Sequence, residues 1–152
     1  MLALLAGYIF IPSALGADSG QSVPLTVPLT AARANAGEIG RVLLVPVNDK
    51  TTEVVLEVSG VPQMTTRPVH LYTYIHDGTC ERPSPKPAYS LTGRVRADTL
   101  APSLAGSKGL YTVRNSIDVS LTTLRQGPRA VVVKSAPQDG DLVLFCGNIP
   151  AG

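Results

Sequence analysis

From residue 42 onward the chain keeps returning to one local pattern, a short apolar or alternating run closed by turn-forming residues. VLLVPV (42–47) is apolar, and EVVLEVS (53–59) alternates Val54, Leu56 and Val58 against Glu53, Val55 and Glu57. HLYTYIH (70–76), AYSLTGRV (88–95), LYTVRNSIDVSL (110–121), RAVVVKS (129–135) and DLVLFCGN (141–148) follow. Asn48-Asp49, Ser59-Gly60-Val61-Pro62, Gly127-Pro128 and Gln138-Asp139-Gly140 punctuate them with turn chemistry. A period of two puts alternate side chains on opposite faces of a strand, and no sustained helical period competes with it. Short strands at this spacing specify an all-β fold, an antiparallel β-sandwich or barrel of seven to eight strands. Ser120–Gln126 reads as one helical turn with Ser120 as its N-cap.

Composition sets what fills the interior. Hydrophobic residues make up 44% of the 152, yet aromatics only 5% with no Trp, so the core must be aliphatic. The length suits one domain. A net charge of +2, with basic residues scattered and no stripe interleaved with aromatics, argues against nucleic acid as a partner.

MLALLAGYIFIPSALGADS opens the chain, uncharged through Ala17 and apolar through Ile11 before turning small and helix-breaking. Residues 1–17 therefore read as a cleaved secretory signal peptide, whose missing basic start implies a truncated or misassigned beginning. The apolar run, broken by Pro12, falls short of the ~20 residues a membrane span needs. Export to the periplasm or the exterior follows as the expected localisation. In such an oxidising compartment Cys80 and Cys146, the only cysteines, most simply pair; two free structural thiols are the alternative. Residues 18–40 contain SVPLTVPLT, with Val23, Leu25, Val27 and Leu29 on one face and Pro24 and Pro28 on the other. Proline cannot donate to a ladder, so this segment is expected to be an extended arm or edge strand ahead of a sandwich domain over 41–152. ERPSPKP (81–87) and ADTLAPSLAGSKG (97–109) read as loops.

The stretch HLYTYIHDGTC (70–80) holds both histidines of the chain. On a strand His70, Tyr72, Tyr74 and His76 share one face while Leu71, Thr73 and Ile75 share the other. Two histidines six residues apart lie ~20 Å apart on a straight strand and cannot chelate one ion together. His70, Tyr72, Tyr74, His76 and the adjoining Asp77 form the candidate binding surface, since tyrosine offers rigid amphipathic area. His76 with Asp77 and Glu81 could hold a divalent ion at the surface, although a solvated turn is the plainer reading. No nucleophile elbow frames a serine for His76 and Asp77, and GSKG (106–109) lacks the strand–loop–helix setting of a phosphate loop.

EVVLEVSGVP, the strand ending YIHDGTC, SLTTLRQGPRAVVVKS and VLFCGNI together resemble, by order and spacing over residues 50–149, the copper/zinc superoxide dismutase superfamily. The resemblance implies an eight-stranded Greek-key β-sandwich in which a His-x-His strand leads to a cysteine bridged to a Cys-Gly near the last strand's end. Tyr74-Ile75-His76 stands where His-x-His would, and Cys80 and Cys146-Gly147 follow in place, supporting the disulfide. The metal site does not carry over. Tyr74 replaces one copper histidine, and Val133 stands where another would be expected. The segment 81–87 lacks the zinc ligands, 135–141 is short for a substrate-guiding loop, and Val143 replaces the anion-steering Arg. Two histidines cannot build a four-histidine copper site.

The expectation is thus an exported, non-catalytic binding or interaction protein of the cell envelope, with no cofactor and no dismutase activity. Its partner would be an unidentified protein or small molecule, and its oligomeric state is open. A metal-handling protein using His76, the one weak metal candidate, and an enzyme of unknown reaction are the alternatives.

Overall fold

Strand-forming residues need partners for every backbone N–H and C=O, and long-range pairing supplies them here. The computed structural model describes residues 23–100 and 110–152; the leader expected over 1–17 and the GSKG segment at 106–109 lie outside them. Among the described residues ten strands form: β1 (Leu25–Ala31), β2 (Gly40–Asn48), β3 (Thr51–Val58), β4 (Leu71–Thr79), β5 (Arg82–Pro83), β6 (Tyr89–Leu91), β7 (Asp98–Leu100), β8 (Leu110–Ile117), β9 (Arg129–Ser135) and β10 (Val143–Ile149). All pairings are antiparallel, in one hydrogen-bonded path β5-β4-β9-β10-β1-β2-β3-β8-β7 with β6 also on β4.

The all-β expectation holds, but the strand count is ten rather than seven or eight. The extra strands, β5 and β7, are two and three residues long and fall inside segments 81–87 and 97–109, which their composition marks as loops. Pairing with Gly78 and Thr79 for β5, and with Leu110 to Thr112 for β7, overrides the poor local propensity. Conversely, only Tyr89–Leu91 of the expected strand 88–95 is extended into the ladder. Beyond it the Asn115 side chain takes over, accepting from the Arg94 amide and donating to its carbonyl at 2.9 Å each. The helical turn forms as α1 (Leu121–Leu124), with the Ser120 hydroxyl accepting from the Thr123 amide.

β1 differs from a plain edge strand. Leu25 to Leu29 pair with β2, whereas Thr30 and Ala31 pair with Cys146 and Phe145 of β10. Pro28 precedes that second ladder, so its missing donor costs no β10 bond. Val27 and Leu29 are buried in the common core, which makes the segment part of the domain rather than an arm lying on it.

Inward residues from both ends of the path meet in one cluster. Val42, Leu44, Val54, Leu56, Val58 and Val113 come from β2, β3 and β8. Leu71, Ile75, Leu91, Val131, Val133, Leu144 and Phe145 come from β4, β6, β9 and β10. The path therefore folds over on itself. Gly40 of β2 marks the closeness of the halves, since a Cβ there would lie 3.3 Å from the Phe145 ring. As composition requires, Phe145 is the one fully buried aromatic among the described residues, packed among aliphatic side chains. No helix among the described residues is long and apolar enough to cross a membrane.

Cys80 and Cys146 form a disulfide with Cα atoms 5.8 Å apart, joining the end of β4 to β10 across the intervening β9. Gly147 follows because its backbone passes close to β1: a Cβ would run into the Pro28 carbonyl and lie 2.7 Å from Leu29 Cδ2. The bridge spans 66 residues of sequence. Closing so long a loop removes entropy from the unfolded chain equivalent to about 4 kcal/mol. Reduction under native conditions is expected to lower the thermal midpoint by more than about 10 °C, as read by circular dichroism with and without reductant. Equal midpoints would show that the bridge contributes nothing.

Candidate functional site

The alternation in β4 sorts its side chains as the sequence reading requires. Leu71, Thr73 and Ile75 are buried, whereas Tyr72, Tyr74 and His76 are half-buried on the outward face. Register then sets their neighbours, since residues directly opposite in an antiparallel pair share a face. Tyr72 stands beside Lys134, Tyr74 between Ser90 and Val132, and His76 beside Ala130. His70 lies just ahead of the strand, opposite Arg96 in an isolated bridge. The Tyr74 and His76 rings meet edge to face, centroids 6.3 Å apart at 66°. The row has Lys134 along its β9 side, where that ammonium is paired to Asp141 at 2.9 Å.

The His76 end of the row is strapped by the proline-rich segment. His76 Nδ1 lies 2.8 Å from the Ser84 carbonyl oxygen. The Ser84 amide donates to the Asp77 carbonyl and the Ala88 amide to the Ile75 carbonyl, each at 2.8 Å. A carbonyl only accepts, so Nδ1 carries the proton of that bond and the neutral ring keeps its lone pair on Nε2. Asp77 is engaged elsewhere, 3.2 Å from Arg129 Nε. Arg129 also donates to the Thr123 carbonyl of α1 and stacks over the Tyr89 ring at 5.7 Å. Asp77 is 62% exposed, which limits its ion pair to the modest strength typical of surface pairs.

The structure thus gathers Tyr72, Tyr74 and His76 into one row, with His70 at its head, and turns Asp77 toward Arg129. Among the described residues no three His, Cys, Asp or Glu side chains cluster closely enough to hold a metal ion. The copper and zinc set implied by the family resemblance does not fit this chain. Val133 is fully buried in the core and pairs with Thr73, on the face opposite to Tyr74. The outward β9 residues beside the tyrosines are Val132 and Lys134. Arg129, Ser84, Lys134 and Arg96 shape the site without having been singled out in the sequence. Each acts through a cross-strand or loop contact, and only the leading Arg of RAVVVKS hinted at one.

Behind the disulfide, Cys80, Glu81, Cys146 and Asn148 line a shallow depression with Thr30, Ala31 and Ala32 of the β1 end. Asn148 Oδ1 accepts from the Cys80 amide at 2.8 Å, tying the turn after β4 to β10. Comparison with family models, characterised proteins and solved structures yields no match to this chain.

The Glu81 carboxyl is held below the usual carboxylate range, first by its own backbone amide and next by the Thr79 side chain, with Asn148 adding to them. A depressed pKa means the folded state favours the charged form. That contribution is present above the unfolded carboxyl value of about 4.3 and is lost as pH falls through the lower folded value. An NMR titration is expected to place the Glu81 midpoint below that of an unstructured glutamate. Thr79→Val should move it upward, and an unperturbed Glu81 in the wild type would remove the hydrogen-bond account.

Proposed function

We propose that this chain is an exported, non-catalytic binding protein of the periplasm or the cell exterior. It is built as a Greek-key β-sandwich similar to the copper/zinc superoxide dismutases but without their metal site. The strand connections support the fold reading. β1, β2 and β3 form a meander, and the chain then leaves to build β4 and β6 before returning as β8 beside β3, the long return of a Greek key. The disulfide supports an oxidising compartment. With two histidines in the chain, one of them away from the tyrosine pair, dismutation has no copper site to run on.

One observation carries the binding role. Three ring side chains, Tyr72, Tyr74 and His76, line the outward face of β4 with His70 just ahead of them, while the inward Leu71, Thr73 and Ile75 are buried and the strand's end is pinned by the disulfide. Such a row presents amphipathic area at little further entropic cost, which is what recognition surfaces require. Loss of two aromatic contacts at about 1 kcal/mol each should weaken binding at least ~10-fold. Immobilised wild-type chain is expected to retain a component of an envelope extract from its own cells, and a folded Tyr72→Ala/Tyr74→Ala variant to lose that retention. Equal retention by both would remove this face from the function.

A second reading, metal handling, rests on the Nδ1 contact of His76 with the Ser84 carbonyl. Ligating histidines are commonly oriented by such a bond, which leaves Nε2 for the ion. Calorimetry with Cu(II) and Zn(II) decides it. Binding tighter than about 10 μM that His76→Ala abolishes would establish the reading, and its absence would exclude it.

A further inference from the structure

Three shallow depressions on the surface each carry a carboxylate: Glu81 behind the disulfide, Glu53 beside Arg114, and Asp49 with Asp118 beside α1. A fourth, of about 400 Å³, has two guanidinium groups and no carboxylate side chain in its lining. Arg125 just after α1, Arg129 at the start of β9 and the turn between them line it together with Asn148 and Ala151.

Arg125 is fixed in place without losing its charge. Its Nε donates to the Pro150 carbonyl at 3.1 Å and its Nη2 to the Ala151 carbonyl at 2.9 Å. Both acceptors are neutral, and Arg125 enters no ion pair among the described residues. Gly152 is tied to it only through its amide, which donates to the Arg125 carbonyl at 3.2 Å. Arg129 has one carboxylate partner, Asp77, which is 62% exposed against 17% for the arginine side chain. Water therefore screens the acid more than it screens the guanidinium. Arg125 Nη1 and Arg129 Nη2 make no hydrogen bond among the described residues. Partly desolvated cations with spare donors favour an anion beside them.

We propose that this depression binds a small organic oxyanion, a carboxylate or a phosphate ester. Its charged head sits on Arg125 and Arg129, and its carbon portion lies against Pro128 and Ala151. A guanidinium already held by carbonyls loses little freedom when it takes up a further acceptor, so the site is pre-organised. The volume is in the range of small-molecule sites and more than an inorganic ion fills. None of the tyrosine-row residues lines it, so the two sites stand or fall separately. Gly127 provides a direct handle. A Cβ there would meet nothing within 4 Å, and its φ lies outside the left-handed region, so a side chain enters without strain.

NMR titration of the full chain with benzoate and with phenyl phosphate, at constant ionic strength, tests the site. The Gly127 and Asn148 amides and the Nε–H signals of Arg125 and Arg129 are expected to shift together on one isotherm. For ligands of roughly ten heavy atoms the dissociation constant should be millimolar or tighter for at least one of the two, which identifies the head group. Gly127→Asp sets a like charge beside the ligand and should weaken binding at least ~10-fold. Gly127→Asn, of the same size but neutral, should stay within about threefold of the wild type. No shift with either ligand up to about 50 mM overturns the proposal. So does equal weakening by Gly127→Asp and Gly127→Asn, or equal binding of neutral benzyl alcohol. Inorganic phosphate that binds as tightly as the two organic ligands would overturn the assignment to an organic anion.

Discussion

Ala130, Val131, Val132 and Val133 of β9 are at most 5% exposed, so this strand is buried on both of its faces. Inward, Val131 and Val133 enter the common core. Outward, Val132 is flanked by Tyr74 and Cys146, and Ala130 by His76 and Asn148. The small and β-branched residues of RAVVVKS suit such a strand, which must fit between layers while β4 and β10 occupy both of its ladders. The disulfide then closes over it, joining one flanking strand to the other. The geometry of the outward row on β4 follows from this strand.

Its first residue extends the same role sideways. Arg129 reaches Asp77 on β4, the Thr123 carbonyl of α1 and the Tyr89 ring of β6. Its side chain is only 17% exposed, so these contacts act in a partly desolvated place where a charge needs several partners. One consequence is that Asp77 faces Arg129 rather than His76 as a co-ligand. The His76 imidazole is directed instead by Ser84, and the proline-rich segment becomes a wall of the site.

The two outward faces of the chain differ in kind. The β4 face carries the rings of Tyr72, Tyr74 and His76 at the spacing of the strand period. On the β2–β3 face Leu43 and Val45 are half-buried and Val55 is buried, beside the Arg41–Glu57 and Arg114–Glu53 pairs.

Much of this was legible locally. The alternation of Leu71, Thr73 and Ile75 against Tyr72, Tyr74 and His76, the aliphatic core, the Ser120 cap and the pairing of the only two cysteines depend on neighbours in the chain, on composition or on compartment chemistry. What stayed hidden depends on register between distant strands. Pro24 and Pro28 marked β1 as an edge, yet its last two residues pair with β10. Family spacing sets Val133 where a copper histidine would be expected, but its pairing with Thr73 turns it into the core. β5 and β7 arise where sequence favours loops, because strands remote in the chain complete their hydrogen bonds. The sequence by itself determined where the long strands run and which of their residues share a face. Only the tertiary structure decided which faces lie side by side, because a one-residue change of register reverses every side chain and is set by long-range packing.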